Sequence, residues 1–250
     1  MFKNTIFRRM TALVLTLALA AAAALPGLAV YPMPIQTASE TEAVYLFNAD
    51  TGKTILNQNA DQQQYVASLT KLMTALLLLE SGKDLNGEVT VPTDLTQEFK
   101  DIQNANGTTM GLRIGETVRR IDLLNALLIT SANDAASVIA WDVGGSLNAF
   151  IQQMNARAAE LGCTSATFTC AHGLYDYGNV ASAEDMAKIA AACAANETFA
   201  QVAGSTTYTL GQTNFHSEQR TISSSNPLMD ASGAVSYTHL RAHETLANLV

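Results

Sequence analysis

The stretch that decides the fold is Tyr65-Val66-Ala67-Ser68-Leu69-Thr70-Lys71-Leu72-Met73-Thr74-Ala75-Leu76-Leu77-Leu78-Leu79-Glu80. From Ser68 onward it reads as a helix that is apolar almost all round, with Leu72, Met73, Leu76, Leu77 and Leu79. A helix without a polar face belongs inside a protein. One lysine, Lys71, stands in its first two turns, so solvent exposure is not the default for that amine. Ser68 and Lys71 are three apart, which puts hydroxyl and amine on one helical face, roughly 5–6 Å apart at Cβ.

Around this helix the signals are mixed. Ala43–Phe47 and Lys53–Leu56 are β-prone runs flanking Asn48-Ala49-Asp50-Thr51-Gly52, and predict a hairpin. Residues 84–120 read as loops and short elements. Helices are expected over 121–129, 134–143, 146–161 and 182–192, with Ser146 and Ser182 as N-caps and Gly144-Gly145 and Gly162 as stops. Thr206–Leu210 and Arg220–Ser223 read as strands. The order hairpin, helices, strands predicts an α+β fold, helices packed on an antiparallel sheet.

Composition excludes several classes. The 250 residues are 48% hydrophobic and 14% charged, enough to bury a core. The net charge is −8 with no basic run, which disfavours nucleic acid as a partner. Cys163, Cys170 and Cys193 are an odd set without a Cys-x-x-Cys pair, so neither a disulfide framework nor a metal site is expected. A Cys163–Cys170 bridge stays open but has no positive support in the sequence.

Lys3, Arg8 and Arg9 precede an apolar run from Met10 to Leu25, broken by Pro26-Gly27 and followed by small residues. That is the pattern of a secretory signal peptide over residues 1–29. The mature protein is therefore expected in the extracytoplasmic cell envelope.

Two constellations carry chemistry. A serine hydroxyl becomes a useful nucleophile only when a base removes its proton. Lys71 can be that base for Ser68 if burial holds its amine neutral. Ser131-Ala132-Asn133, at the break between two apolar helices, offers a proton-relaying hydroxyl and an amide that can hold both an amine and a substrate amide. The competing local reading is an interhelix turn, with Asp134 capping the next helix.

Together these motifs resemble the penicillin-binding and serine β-lactamase superfamily. Tyr65–Thr74, Gly111–Glu116, Leu123–Ala136, His172-Gly173-Leu174 and Ser182–Ala187 narrow the resemblance to the D-alanyl-D-alanine carboxypeptidases, the low-molecular-mass penicillin-binding proteins. The resemblance covers residues 40–230. It implies a transpeptidase-like fold with helices on a five-stranded sheet, and removal of terminal D-alanine from peptidoglycan stem peptides. It also implies acylation by β-lactam antibiotics. By position, Ser68 is the nucleophile, Lys71 the general base, Ser131 the proton relay, and Asn133 the group that orients Lys71 and substrate. No cofactor or metal is implied. His172, Thr70, Met73 and Thr74 match family positions and are read as structural.

The third family motif, Lys-Thr-Gly on a cleft strand, has no counterpart here, since Lys53-Thr54 runs on into Ile55. Asn226–Met229 matches the segment shortly before that strand. Val235–Thr245 matches nothing in the family and resembles translated sequencing adapter. The expected organisation is a signal peptide over 1–29, a carboxypeptidase domain over 30–234 cut before its Lys-Thr-Gly strand, and a non-native tail over 235–250. On that reading the sheet is incomplete, the chain as given is inactive, and membrane association needs a C-terminal anchor outside it. The rival readings are a class A-like β-lactamase, a regulatory protease of the same fold, and a non-catalytic envelope-binding protein. A β-lactamase lacks support because it usually carries Ser-Asp-Asn and a deacylating glutamate, and residues 145–180 hold no matching motif.

Overall fold

The computed structural model describes residues 41–224 apart from 50 and 175. The expected signal peptide, most of the polar leader, Asn226–Met229 and the tail over 235–250 lie outside the described residues. Seven α-helices and eight short strands are present in the described part. The strands pair only antiparallel, as four separate two-stranded ribbons. The α+β reading holds. The five-stranded sheet implied by the resemblance is not assembled among the described residues.

β1 (Val44–Phe47) and β2 (Thr54–Gln58) form the expected hairpin. A 3-10 turn at Ala67–Leu69 leads into α1 (Thr70–Glu80), in which eight of eleven residues are buried. Its apolar circumference is met on several sides by α3 (Arg120–Ile129), α4 (Asn133–Gly144), α5 (Leu147–Glu160), α6 (Ala183–Ala194) and α7 (Glu197–Ala203). Leu69, Met73, Leu76 and Leu78 are each at most 2% exposed. Burying such a side chain contributes about 1.5–3 kcal/mol, so this helix is the hydrophobic axis of the domain.

The caps follow the sequence. Ser146 Oγ accepts from the Ala149 N–H, and Ser182 Oγ accepts from the Asp185 N–H. Gly145 ends α4 in the left-handed conformation, with φ 74°.

Residues 84–120 are more ordered than their composition suggests. β4 (Glu88–Thr90) pairs with β5 (Thr117–Arg119), and between them lies α2 (Thr96–Asn104). α2 is polar and buries only Ile102, so it has no continuous apolar stripe. Leu95, Phe99 and Ile102 are nevertheless spaced i, i+4, i+7, the signal that marks it. α7, capped by Asn196 Oδ1 on the Phe199 N–H, also falls outside the expected elements. So does the two-residue pairing of β3 (Gln64–Tyr65) with β6 (Val180–Ala181). Finally, β7 (Thr207–Leu210) and β8 (Arg220–Ser223) form the last ribbon, as the sequence predicts.

Ala132, not Asp134, holds the N-cap position of α4, and Asp134 is the second residue of the helix. Its carboxylate accepts the N–H groups of Met110, Gly111 and Leu112 at 2.9–3.0 Å, and that of Ala135 at 2.9 Å. A buried N–H left without an acceptor costs about 1–3 kcal/mol, so this one side chain anchors the 110–112 loop to the start of α4. Burial pushes the Asp134 carboxyl above its ordinary range, against four backbone N–H groups that favour the anion.

Candidate active site

Ser68 lies in the 3-10 turn before α1, and Lys71 in the first turn of the helix itself. Ala67, just before the nucleophile candidate, has φ 43°, and Ser131 has φ 58°. Both are non-glycine residues in the left-handed region, each costing about 1–3 kcal/mol, so the surrounding fold must impose them. One imposing element is the loop 171–174. Gly173, with φ 79°, packs so tightly that a Cβ there would overlap the Ala67 carbonyl. Thr74 Oγ1 donates to the Ala171 carbonyl at 2.6 Å, and Asn179 Nδ2 donates to Thr70 Oγ1 at 2.8 Å. The threonines read as structural are thus hydrogen-bonded to this loop and its continuation.

The four residues singled out in the sequence converge. Lys71 Nζ is 3.3 Å from Ser68 Oγ and 2.8 Å from Asn133 Oδ1. Ser131 Oγ donates to Ser68 Oγ at 3.0 Å. Asn133 is held by its own backbone and side chain, since its N–H and Nδ2 both donate to the Thr108 carbonyl, at 2.8 and 2.9 Å. A further partner, invisible in the motifs, is the His172 carbonyl, which accepts from Lys71 Nζ at 2.5 Å.

Lys71 is completely buried. Desolvation lowers its pKa to about 7, while the Cys170 thiol and the Asp134 carboxyl pull the other way. Three oxygens surround Nζ, and when the amine is neutral its two N–H groups can meet Asn133 Oδ1 and the His172 carbonyl while the lone pair faces the Ser68 hydroxyl. At an ordinary pKa only about one amine in 3,000 would be neutral at pH 7, whereas a pKa lowered to about 7 makes the neutral amine a major species there. A lysine can act as a base only when deprotonated, so any acylation that runs through Lys71 must rise with pH. We expect Ser68 acylation to be half-maximal near pH 7, to fall about tenfold per pH unit below it, and to level off above pH 8. Stopped-flow acylation rates from pH 5 to 9 check this, and a rate still climbing tenfold per unit at pH 9 would contradict it.

His172 has a buried ring. Its Nδ1 accepts the Leu174 N–H at 3.0 Å, and its Nε2 faces Glu98 Oε1 at 3.0 Å. Burial opposes a charge on the ring, but Cys170 and Glu98 outweigh it and raise its pKa. The Leu174 N–H aimed at Nδ1 is the geometry of the neutral ring. Burial likewise opposes the Cys170 thiolate, yet His172 and the Gly173 N–H bring that thiol below its ordinary pKa. The three cysteines are free thiols, and no Cys163–Cys170 bridge forms. Among the described residues no group of three or more His, Cys, Asp or Glu is placed to hold a metal. No helix among them is long and apolar enough to cross a membrane.

A part-buried serine beside a fully buried lysine, with a second serine on its hydroxyl and an amide on the amine, is an arrangement capable of serine acyl transfer. The peptidase S11 family, D-alanyl-D-alanine carboxypeptidase, matches residues 32–236, and the chain belongs to that family. It is 32% identical over 155 residues to D-alanyl-D-alanine carboxypeptidase DacF of Bacillus subtilis, covering 62% of this chain and 39% of that protein. Against the D-alanyl-D-alanine endopeptidase of Pseudomonas aeruginosa it is 32% identical over 157 residues, covering 63% and 48%. The chain therefore spans less than half the length of these curated relatives. Among solved structures, a serine-to-alanine variant of the Streptomyces K15 DD-transpeptidase superposes with a TM-score of 0.73 at 27% identity, covering 82% of this chain and 81% of that one.

Proposed function

We propose that this protein is a serine-type D-alanyl-D-alanine carboxypeptidase that removes the terminal D-alanine from peptidoglycan stem peptides through an acyl-enzyme on Ser68. The observation that carries the reading is the buried, desolvated Lys71 amine facing Ser68 Oγ at 3.3 Å with its other hydrogens committed. In the first step Lys71 takes the hydroxyl proton as Ser68 Oγ attacks the carbonyl carbon of the scissile D-Ala-D-Ala bond. That proton then passes from Lys71 through the hydroxyl of Ser131, which is hydrogen-bonded to Ser68, to the departing D-alanine amine, leaving Ser131 protonated and Lys71 neutral again. Asn133 orients Lys71 through Oδ1, and its side-chain N–H is the candidate contact for the substrate amide. Water then attacks the acyl carbonyl as Lys71 takes its proton, the bond to Ser68 Oγ breaks, and Lys71 returns the proton to Ser68 Oγ as the shortened peptide leaves. The roles of Ser68, Lys71, Ser131 and Asn133 are assignments of this proposal, supported by their convergence and by family membership.

The same chemistry makes a β-lactam an acylating inhibitor, because its strained amide presents a carbonyl to Ser68 and its leaving amine stays tethered. Stem peptides lie outside the cytoplasmic membrane, so the reading carries with it export by the 1–29 signal peptide and work in the cell envelope. It also carries a carboxypeptidase domain over 30–234.

The test, on the chain extended to the length of the relatives it matches, is intact-mass analysis after incubation with a penicillin, followed by peptide mapping and an assay of D-alanine release from a synthetic stem pentapeptide. One adduct on the Ser68 peptide and D-alanine release that the penicillin blocks are expected. An adduct that persists in Ser68→Ala overturns the assignment. Rapid hydrolysis of the bound penicillin, with no D-alanine release, would favour the β-lactamase reading.

A further inference from the structure

Lys71 is held by two oxygens that arrive from different parts of the chain. Asn133 Oδ1 comes from the first turn of α4, and the His172 carbonyl from the 171–174 loop. Nothing local sets the distance between them, because Asn133 and His172 are 39 positions apart in sequence. One side chain bonds to both. Glu98, on α2, accepts from Ser137 Oγ at 2.9 Å and faces His172 Nε2 at 3.0 Å, both at Oε1. Ser137 is four residues after Asn133, one helical turn along the same face of α4. The ring of His172 is fixed at its other nitrogen too, by the Leu174 N–H, so the proton sits on Nε2 and points at Glu98. The hydrogen bond from His172 holds the Glu98 carboxyl below its ordinary pKa, against partial burial.

We propose that Glu98 is a positioning residue for acylation. By bracing α4 against the His172 loop it fixes the two oxygens that hold the Lys71 amine. The proposal rests on the reading of Lys71 as general base. Glu98 touches neither Ser68 nor Lys71 and acts only through Ser137 and His172. A cavity of about 390 Å³ lies beside the brace, lined by Glu98, Cys170, His172 and Leu174 and by none of the four site residues. Water has room to follow if the brace opens. The titratable groups that bear on Lys71 are Cys170 and Asp134, and both favour the charged amine. Desolvation is the larger effect and is what keeps the amine neutral, so loosening the loop and admitting water must move the Lys71 titration upward.

The measurement is a titration of the chain carrying ¹³Cε-lysine, followed by NMR from pH 5 to 11, with Lys71→Arg used to assign the Lys71 signal. It needs no turnover. The wild-type signal should titrate near pH 7. In Glu98→Ala it should move up by about one pH unit or more, with about a tenfold loss of penicillin acylation at pH 7 that is recovered by pH 9. Glu98→Gln keeps an acceptor oxygen for both partners and should titrate as the wild type does. A purely structural role would lower the melting temperature of Glu98→Ala and leave the Lys71 midpoint in place, which overturns the proposal. If Glu98→Ala does not fold, His172→Asn removes the same link, and a wild-type Lys71 midpoint in that variant overturns it equally. Failure of the functional reading looks different: a wild-type chain whose Lys71 titrates as stated but whose Ser68 takes no penicillin.

Discussion

Replacing Lys71 by Arg should slow the acylation of Ser68 by about 10²-fold or more. The substitution keeps a cation in the site and removes a base. A guanidinium has a pKa above about 12 and is not deprotonated in proteins. If Lys71 served only to attract a carboxylate, Arg would serve as well. The structure argues against that anchoring role. The Nζ is completely buried, and its hydrogens point at Asn133 Oδ1 and the His172 carbonyl, not outward. Arg is larger and stays charged in a fully buried position, so the comparison holds only where the variant still melts cooperatively. Acylation rates should be measured with a fluorescent penicillin beside thermal melts of both chains. Near-normal acylation by Lys71→Arg would remove Lys71 from the role of base. A variant that fails to melt cooperatively calls instead for Lys71→Met, in which a neutral side chain of similar length replaces the charge.

The parts of this site that could be read in the sequence are those written locally. Ser68 and Lys71 declare themselves because three residues on an apolar helix fix their separation. Ser131-Ala132-Asn133 declares itself because a polar break between two apolar helices is conspicuous. The hairpin and the Ser146 and Ser182 caps are also local signals, and they are where the sequence places them. What the sequence concealed is long-range. The His172 carbonyl meets an amine 101 residues away, and any residue type could supply that oxygen. Glu98 was hidden because α2 is polar, shows only a sparse Leu95–Phe99–Ile102 spacing, and depends on tertiary contacts for its helical form. Asp134 reads as an ordinary helix cap, yet three of its four backbone partners lie 22 to 24 residues upstream. The left-handed Ala67 and Ser131 are the hardest case. No propensity favours that conformation for either residue, and only the packing of the 171–174 loop and the α3–α4 junction selects it.

That packing makes Gly173→Ala the substitution with the largest expected effect away from the reacting groups. Two costs must be separated. The first is conformational: φ 79° is open to glycine and strains alanine by about 1–2 kcal/mol. The second is steric: the new Cβ would overlap the Ala67 carbonyl and come within 2.9 Å of Thr70 Oγ1. Backbone cannot yield there without moving the turn that carries Ser68, or the His172 carbonyl that holds Lys71. A displacement of about 1 Å in such a site can cost 10²-fold in rate. We therefore expect Gly173→Ala to lose acylation by about 10²-fold and to melt roughly 5–10 °C lower, as a loss of about 2–4 kcal/mol implies for a domain of this size. Gly82→Ala isolates the first cost, since Gly82 has φ 72° with nothing within 4 Å of its would-be Cβ. That variant should melt only a few degrees lower and acylate normally. If the two variants lose the same few degrees and both acylate at the wild-type rate, the contact between Gly173 and Ala67 does not set the position of Ser68.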